Sequence, residues 1–330
     1  MSERTPLTKI APDLYQVHLP LPFALRIVNV YLLRGPHGWS IVDTGIHTAE
    51  AEAVWRDAFA ALKIGPRDIE QILLTHVHPD HFGMAGWLQG LAAAEGRAVP
   101  VLCSPLEQKF ARTIWYQVGI QDFAAWLMSH GMPEADAQAA HRGMGDTFTM
   151  TLPHPPKLET IHPGESIQMG ERCFQMIEAP GHSDGQMLFY HPDEALLLSG
   201  DQVLMKITPN IGLWTHTAPN PLERFLASLA ELRALEVRLA LPGHRGLIHD
   251  WQGRIDELSA HHYERLEHTF EAVAEGRATP YDVALRIFES ERFSPHEWRF
   301  ALAEALAHME YLETHGRLTH DPQTGRYTLA

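Results

Sequence analysis

Short apolar runs in the first hundred residues predict β-strands, and stretches with apolar side chains every three to four residues predict helices between them. The predicted strands cover residues 14–18, 27–33, 39–43, 69–75 and 99–103, and the predicted helices cover residues 48–63 and about 83–94. This alternation of strands and helices is typical of an α/β fold.

The pattern changes between about residues 105 and 150, where mostly helical spacing and many aromatic residues predict an insertion. An insertion of this size is either a lid over a site or a packed satellite, and the sequence leaves both open. Strands are predicted again after it, with one helix among them. These strands cover residues 166–169, 172–177, 186–190, 195–198 and 238–241, and the helix covers residues 221–235.

After about residue 250 the spacing becomes helical, with one helix predicted over residues 251–275. Thr279 followed by Pro280 is typical of a second helix start, and Ser294 with Glu297 forms a capping box that opens a third. A hairpin is predicted over residues 318–329. Three helices followed by a hairpin is the order of a winged helix, so we predict a catalytic domain at residues 1–250 and a winged-helix-like domain at residues 251–330.

The chain is acidic, with 41 Asp and Glu against 26 Lys and Arg and a formal net charge of −15. Residues 251–330 alone hold 8 arginines, no lysines and 14 acidic residues. This balance argues against nucleic acid as a partner, because a phosphate backbone would be repelled. No signal peptide and no run approaching ~18 apolar residues is visible, so the sequence predicts a cytoplasmic protein without a membrane partner.

The strongest chemical signal directly follows the apolar run at residues 69–75. Residues 76–81 read His-Val-His-Pro-Asp-His, so three imidazoles and a carboxylate fall within six positions. A helix would point these side chains in different directions, whereas a loop at a strand end lets them converge on a metal. The candidate ligands in this loop are His76, His78, Asp80 and His81.

Three further residues follow later apolar runs in the same way, namely His182, Asp201 and His244. A glycine directly precedes each of them and frees the backbone to turn sharply. Each alone would be an ordinary loop residue. Together they complete a set of seven ligands, which is enough for two metal ions.

The order H-x-H-x-D-H, followed by later His, Asp and His, resembles the metallo-β-lactamase-fold superfamily over about residues 10–250. The resemblance implies an αββα sandwich of the α/β (α+β) class, with the site at one edge of the two sheets. By the same resemblance, the first metal is held by His76, His78 and His182, the second by Asp80, His81 and His244, and Asp201 bridges the two. Zinc is the default pair of ions for this cysteine-free set, with iron or manganese as alternatives.

Two such ions lower the pKa of a shared water, and the resulting hydroxide attacks a carbonyl or phosphoryl centre. Asp80 and Asp201 are the candidate catalytic carboxylates. Asp80 either carries a proton to the leaving group or only coordinates a metal, and coordination alone is its preferred role. In the resembling family the Asp43-Thr44-Gly45 loop lies beneath the metals. We predict that Asp43 orients a ligand imidazole through its free N–H.

Substrate contacts are less clearly indicated. Lys206 and Arg245 lie close in sequence to metal ligands and are candidates for holding an anionic group, with solvated surface charge as the alternative. Trp214 and His216 are candidate pocket walls, with core packing of Trp214 as the alternative.

The favoured function is metal-dependent hydrolysis of a small acyl substrate, a thioester or an ester or lactone. Hydroxyacylglutathione hydrolases share the metal set, but their glutathione-binding region is not recognisable here. One alternative is an endoribonuclease or phosphodiesterase, because the tail resembles that of a subfamily containing a single-stranded-RNA endonuclease. The other is a non-catalytic ligand sensor. The acidic tail argues against the first, the complete ligand set against the second, and we expect the tail to dock on the active-site mouth or to form a homodimer.

Overall fold

Two β-sheets face each other in the computed structural model, which describes residues 7–116, 123–288 and 293–330. The seven strands of the first sheet are neighbours in chain order. They are β1 (Leu7–Ala11), β2 (Leu14–Pro20), β3 (Ile27–Arg34), β4 (Trp39–Val42), β5 (Ile69–Leu73), β6 (Val101–Cys103) and β7 (Glu159–Thr160).

The second sheet has five strands in the spatial order β12-β11-β10-β9-β8. They are β8 (Ser166–Met169), β9 (Arg172–Glu178), β10 (Met187–His191), β11 (Leu196–Gly200) and β12 (Leu239–Pro242), and a separate hairpin pairs β13 (Leu318–Asp321) with β14 (Arg326–Leu329). Strands β11 and β12 are parallel, as are β4, β5 and β6, so their carboxyl ends meet at common edges.

The helices lie between these strands in the chain. They are α1 (Ala49–Leu62), α2 (Pro79–Phe82), α3 (Ala85–Ala94), α4 (Pro105–Ala111), α5 (Phe123–Ser129), α6 (Glu134–Thr149), α7 (Pro221–Leu232), α8 (Trp251–Ala274), α9 (Pro280–Ile287) and α10 (Pro295–Thr314). Within the described ranges, no helix combines the length and the apolar character that crossing a bilayer requires.

Alternating side chains of the strands enter different cores. In β3, Tyr31 and Leu33 pack between the two sheets, whereas Val30 and Leu32 pack on the outer side with Trp55 of α1. The β10 and β11 strands divide their side chains in the same way between the inner core and a second outer core. Period-two alternation therefore produces an α/β sandwich with helices on both outer faces, which confirms the predicted fold class.

The C-terminal helices share one apolar core with the sandwich. Leu302 and Leu306 of α10 belong to the same buried cluster as Phe225 of α7 and Leu197 of β11. Helices α8, α9 and α10 precede the hairpin in the predicted order. Residues 251–330 are thus packed against the second sheet and its helix.

The predicted insertion is helical in its described part, with α4, α5 and α6 in it; residues 117–122 lie outside the described residues. Leu127 of α5 and Ala137 of α6 are buried in the core that also contains α10, and α6 packs directly on α10. This part of the insertion is therefore a packed satellite.

Candidate metal centre

The seven predicted ligands lie on four loops that follow strands of both sheets. The first sheet supplies His76, His78, Asp80 and His81 after β5, and the second supplies His182 after β9, Asp201 after β11 and His244 after β12. Helix α2 begins within the first loop, because Pro79 occupies its first turn. Chain segments far apart in sequence therefore meet at one edge of the sandwich.

The structure brings all seven side chains into three overlapping groups whose ligand atoms lie within 4.8 Å of one another. The groups are His76 with His78 and His182, His76 with His81 and Asp201, and Asp80 with His81 and His244. Asp201 also approaches the third group, with Oδ2 3.2 Å from Nε2 of His244 and Oδ1 3.4 Å from Nε2 of His81. Its carboxylate thus lies between the outer groups.

Three of the candidate ligand imidazoles donate a hydrogen bond from Nδ1–H to an acceptor on the side away from the centre. His81 donates to Asp43 Oδ2 at 2.8 Å, His182 to the Asn210 carbonyl at 3.0 Å, and His244 to the Ile27 carbonyl at 2.8 Å. These bonds fix the ring orientation and leave Nε2 to face the centre, as for metal-binding histidines in general.

Several buried atoms at the centre have no hydrogen-bond partner among the described residues, namely Nε2 of His76, His81 and His244 and Oδ1 of Asp201. Polar atoms buried without a partner are costly, so their convergence requires an occupant. A Cβ at Gly243 would lie 2.2 Å from Asp201 Oδ1, which leaves only glycine at that position. Imidazole nitrogens and carboxylate oxygens packed this closely fit divalent metal ions.

The imidazoles at the centre differ in protonation, because some are neutral whereas His244 is charged. Burial lowers the pKa of His78 to about 3, and burial likewise lowers the pKa of His76 and His182. Burial also opposes a charge on His244, but Asp201 and Asp80 outweigh it and raise the pKa to about 10. A bound cation would replace that proton as the partner of the carboxylates.

Asp43 is buried beside His81 and accepts the hydrogen bond from its Nδ1–H. Besides His81, its carboxylate accepts hydrogen bonds from the backbone N–H and the hydroxyl of Thr75, both at 2.8 Å. Its backbone adopts φ 61°, a left-handed conformation that is uncommon for a residue other than glycine and concentrates at functional sites. Asp43 thus ties the first ligand loop to β4.

Glu107 of α4 is a residue that sequence reasoning missed. Its buried carboxylate accepts hydrogen bonds from the Val77 N–H at 2.9 Å, from the Gly185 N–H at 3.0 Å and from the Ser183 hydroxyl. It therefore joins the loop of His76 and His78 to the loop of His182. The Ser104-x-x-Glu107 spacing indicates only a helix cap, and Ser104 does cap α4.

The predicted substrate residues lie at different places. Lys206 is exposed and lines a cavity of about 460 Å³ together with Arg254 and His261 of α8. Arg245 and His216 are exposed as well. Trp214 is half-buried and its ring lies 5.8 Å from that of Phe300 of α10, so the C-terminal region reaches the segment that follows Asp201.

The chain matches the sequence patterns of two known families. The sequence pattern of the metallo-beta-lactamase superfamily matches residues 24–244, and that of a metallo-beta-lactamase-like C-terminal domain matches residues 266–328. The chain is similar to a crystal structure of a metallo-beta-lactamase family protein from Thermus thermophilus, with a TM-score of 0.86, 34% identity, and 98% of this chain and 100% of that chain covered.

The curated relatives of this chain include a probable metallo-hydrolase and a thioesterase. A probable metallo-hydrolase of Bacillus subtilis is 25% identical over 315 residues, which cover 93% of this chain and 94% of that protein. An atrochrysone carboxyl ACP thioesterase of Aspergillus fumigatus is 28% identical over 260 residues, which cover 74% of this chain and 63% of the relative.

Proposed function

The chain belongs to the metallo-beta-lactamase superfamily, and we propose that it is a dinuclear metal hydrolase acting on a thioester or ester of a small acyl substrate. The observation that carries the proposal is the position of Asp201, whose carboxylate lies between two groups of three ligands. A carboxylate between two such groups is suited to bridging two ions.

The residues of the chain have distinct tasks in this proposal. His76, His78 and His182 would hold one ion, Asp80, His81 and His244 would hold the other, and Asp201 would contribute a carboxylate to both. Divalent ions at these positions would supply a water of lowered pKa and polarise the carbonyl oxygen of the substrate. Asp43, Asn210 and the Ile27 carbonyl keep the imidazoles in the tautomer that binds metal.

In the overall reaction, the water oxygen forms a bond to the carbonyl carbon and the bond from that carbon to sulfur or oxygen breaks. The products are a carboxylic acid and a thiol or an alcohol. The thioester preference is supported by the thioesterase among the relatives and by the acidic tail, which disfavours nucleic acid. Zinc is the ion proposed.

Metal analysis combined with substrate panels tests the function. We expect about two zinc ions per purified chain and turnover of thioesters or lactones. Asp201→Ala should lose turnover and part of the metal, whereas Asp57→Ala, a change on the exposed face of α1, should alter neither. Turnover of phosphodiesters alone would overturn the acyl preference, and a chain that retains no metal would overturn the mechanism.

A further inference from the structure

The guanidinium of Arg299 is buried without a counterion. Arg299 lies in the second turn of α10 and is 7% exposed, and its Nε has no hydrogen-bond partner among the described residues. Among the residues that the structure describes, no carboxylate oxygen lies within ion-pair distance of the guanidinium of Arg299. Its nearest polar contact is a long one of 3.5 Å from Nη2 to Nε2 of His296. Burying an unpaired charge is expensive, and a bound anion would relieve that cost.

Aromatic rings surround this charge. The guanidinium carbon lies 4.0 Å from the ring centroid of Phe300 and 5.9 Å from that of Trp214. Aromatic faces stabilise the positive charge but accept none of the directed N–H bonds of a guanidinium. Burial lowers the pKa of Arg299 to about 9, so the group still carries its charge at neutral pH. Its hydrogen-bonding capacity therefore remains open to an anion.

On one side, Phe300, the residue after Arg299, is connected by hydrogen bonds to the candidate metal ligand His182. The backbone carbonyl of Phe300 accepts a hydrogen bond from Asn210 Nδ2 at 3.2 Å. The carbonyl of Asn210 in turn holds Nδ1 of His182 at 3.0 Å. Two hydrogen bonds thus connect the residue next to Arg299 with the first group of ligands.

On the other side, His296 contacts a segment that holds the candidate metal ligand His244. His296, one helical turn before Arg299, stacks on Phe23 with the ring centroids 5.4 Å apart. The Phe23 carbonyl closes a turn with Arg26, and the next residue, Ile27, holds Nδ1 of His244. The neighbours of Arg299 on α10 therefore contact segments that hold candidate ligands of both groups.

We propose that Arg299 binds a carboxylate carried by the acyl part of the substrate, so that the substrate class is a thioester of a dicarboxylic acid. The planar fork of a guanidinium matches a carboxylate with two parallel hydrogen bonds. The half-buried rings of Phe23, Trp214 and Phe300 offer apolar contact to the chain between the carboxylate and the thioester. This inference rests on the proposed hydrolase function and deepens it.

The kinetic test compares two thioesters of N-acetylcysteamine on the zinc-loaded full chain: the glutaryl ester, which ends in a carboxylate, and the neutral hexanoyl ester. Arg299→Met should raise KM for the glutaryl ester by about tenfold or more and leave kcat within about twofold, because one charge-assisted contact is lost. KM for the hexanoyl ester should not change. Arg299→Lys, which keeps the charge, should fall between Met and wild type.

Two controls keep the result specific. Arg286→Met removes an exposed arginine of α9 that pairs with Glu275, and it should change neither KM. Thermal unfolding of each variant shows whether it is folded. Equal effects of Arg299→Met on both esters, or none on either, overturn the proposal. An effect that appears only when coenzyme A replaces N-acetylcysteamine assigns Arg299 to a phosphate on the thiol side and also overturns it.

A binding measurement separates this proposal from the proposed function. Glutarate is titrated calorimetrically into the zinc-loaded wild type and Arg299→Met, which requires no turnover. Binding that weakens by about tenfold in the variant supports the carboxylate site even if no thioester is hydrolysed. Equal binding, or no binding to either protein, overturns the site, while turnover of neutral thioesters alone would leave the hydrolase function standing.

Discussion

Asp43 shows how one side chain behind the ligands controls the centre. Its carboxylate is a single buried group that orients His81 and also fastens Thr75, the residue before the first ligand. Removing it frees the ring to rotate and leaves two buried donors without an acceptor. A partner of this kind typically changes metal affinity by about 10–100-fold.

We therefore expect Asp43→Ala to weaken zinc binding by about 10–100-fold, measured by competition with a chelator. Asp57→Ala, on the exposed face of α1, serves as the control and should retain wild-type affinity. Unchanged affinity in Asp43→Ala would contradict the orienting role.

Glu107 acts on the protein's stability through the same loops. Glu107→Leu would leave the N–H groups of Val77 and Gly185 buried without an acceptor, and each such group costs about 1–3 kcal/mol. We expect a loss of about 2–5 kcal/mol in the free energy of unfolding, measured by urea denaturation. Glu107→Gln keeps one acceptor oxygen and should lose less. If the two variants are equally stable, packing and not hydrogen bonding explains the burial.

At the scale of whole elements, local sequence signals predict the helices well. Helix α10 begins where the Ser294 and Glu297 capping box predicts, and α1 begins after Thr48, whose side chain caps it. Caps and apolar spacing depend on neighbours within a few residues, so the sequence alone contains them. The strands β1 and β7 escaped prediction because short strands at the edge of a sheet lack a strong apolar pattern.

A pair of buried histidines links α8 to α10. His262 Nδ1 donates to His308 Nε2 at 3.3 Å, and His308 Nδ1 donates to the Glu304 carbonyl at 2.7 Å, so both rings fit as neutral groups. Burial lowers the pKa of His262 to about 2 and that of His308 to about 4. The neighbouring His261 and Arg265 add to both shifts.

Because of these pKa shifts, the contact between α8 and α10 should become less stable in acid. Below about pH 6.5 the histidines are protonated in the unfolded chain, whereas in the folded chain they stay neutral. The contribution of each histidine to the free energy of unfolding therefore falls as the pH falls. Burial raises the pKa of the Glu304 side chain to about 7, which acts in the opposite direction but equally in wild type and in a His262 variant.

We expect the loss of unfolding free energy between pH 7 and pH 5 to be smaller in His262→Phe than in wild type by about 2 kcal/mol. Urea denaturation at the two pH values measures it. The replacement suits the site because the ring of His262 already packs edge-on against Phe225. Identical pH dependence of the two proteins would show that His262 is not buried as a neutral group.

At the scale of the whole molecule, the candidate centre connects the two sheets. Four candidate ligands come from the first sheet and three from the second. Metal bound only to the folded chain stabilises it by mass action, by about 2.7 kcal/mol at a hundredfold excess over Kd.

Removal of metal with a chelator should therefore lower the Tm by about 4 °C for each ion lost. Scanning calorimetry of the chelated and the zinc-reconstituted protein measures the shift. Asp201→Ala should show a smaller response because it removes the carboxylate common to both groups. If the Tm is the same with and without the chelator, bound ions do not stabilise the contact between the sheets.

The candidate ligands were predictable because each immediately follows an apolar run, a relation that is local in sequence. The contact of Arg299 with Trp214 and that of Glu107 with Gly185 were not, since each arises between segments roughly 80 residues apart once the sheets and helices have packed. Strand order within the sheets is non-local for the same reason.

The apolar core that α10 shares with α7 and the second sheet limits which parts of the chain can be exchanged without loss of stability. Leu302 and Leu306 pack into the sandwich from the same helix that carries Arg299. A chimaera that exchanged residues 251–330 with those of a relative would replace Arg299 and about half of that core in one step. Exchange of the whole C-terminal region should therefore destabilise the sandwich, whereas single substitutions around Arg299 leave the shared core in place.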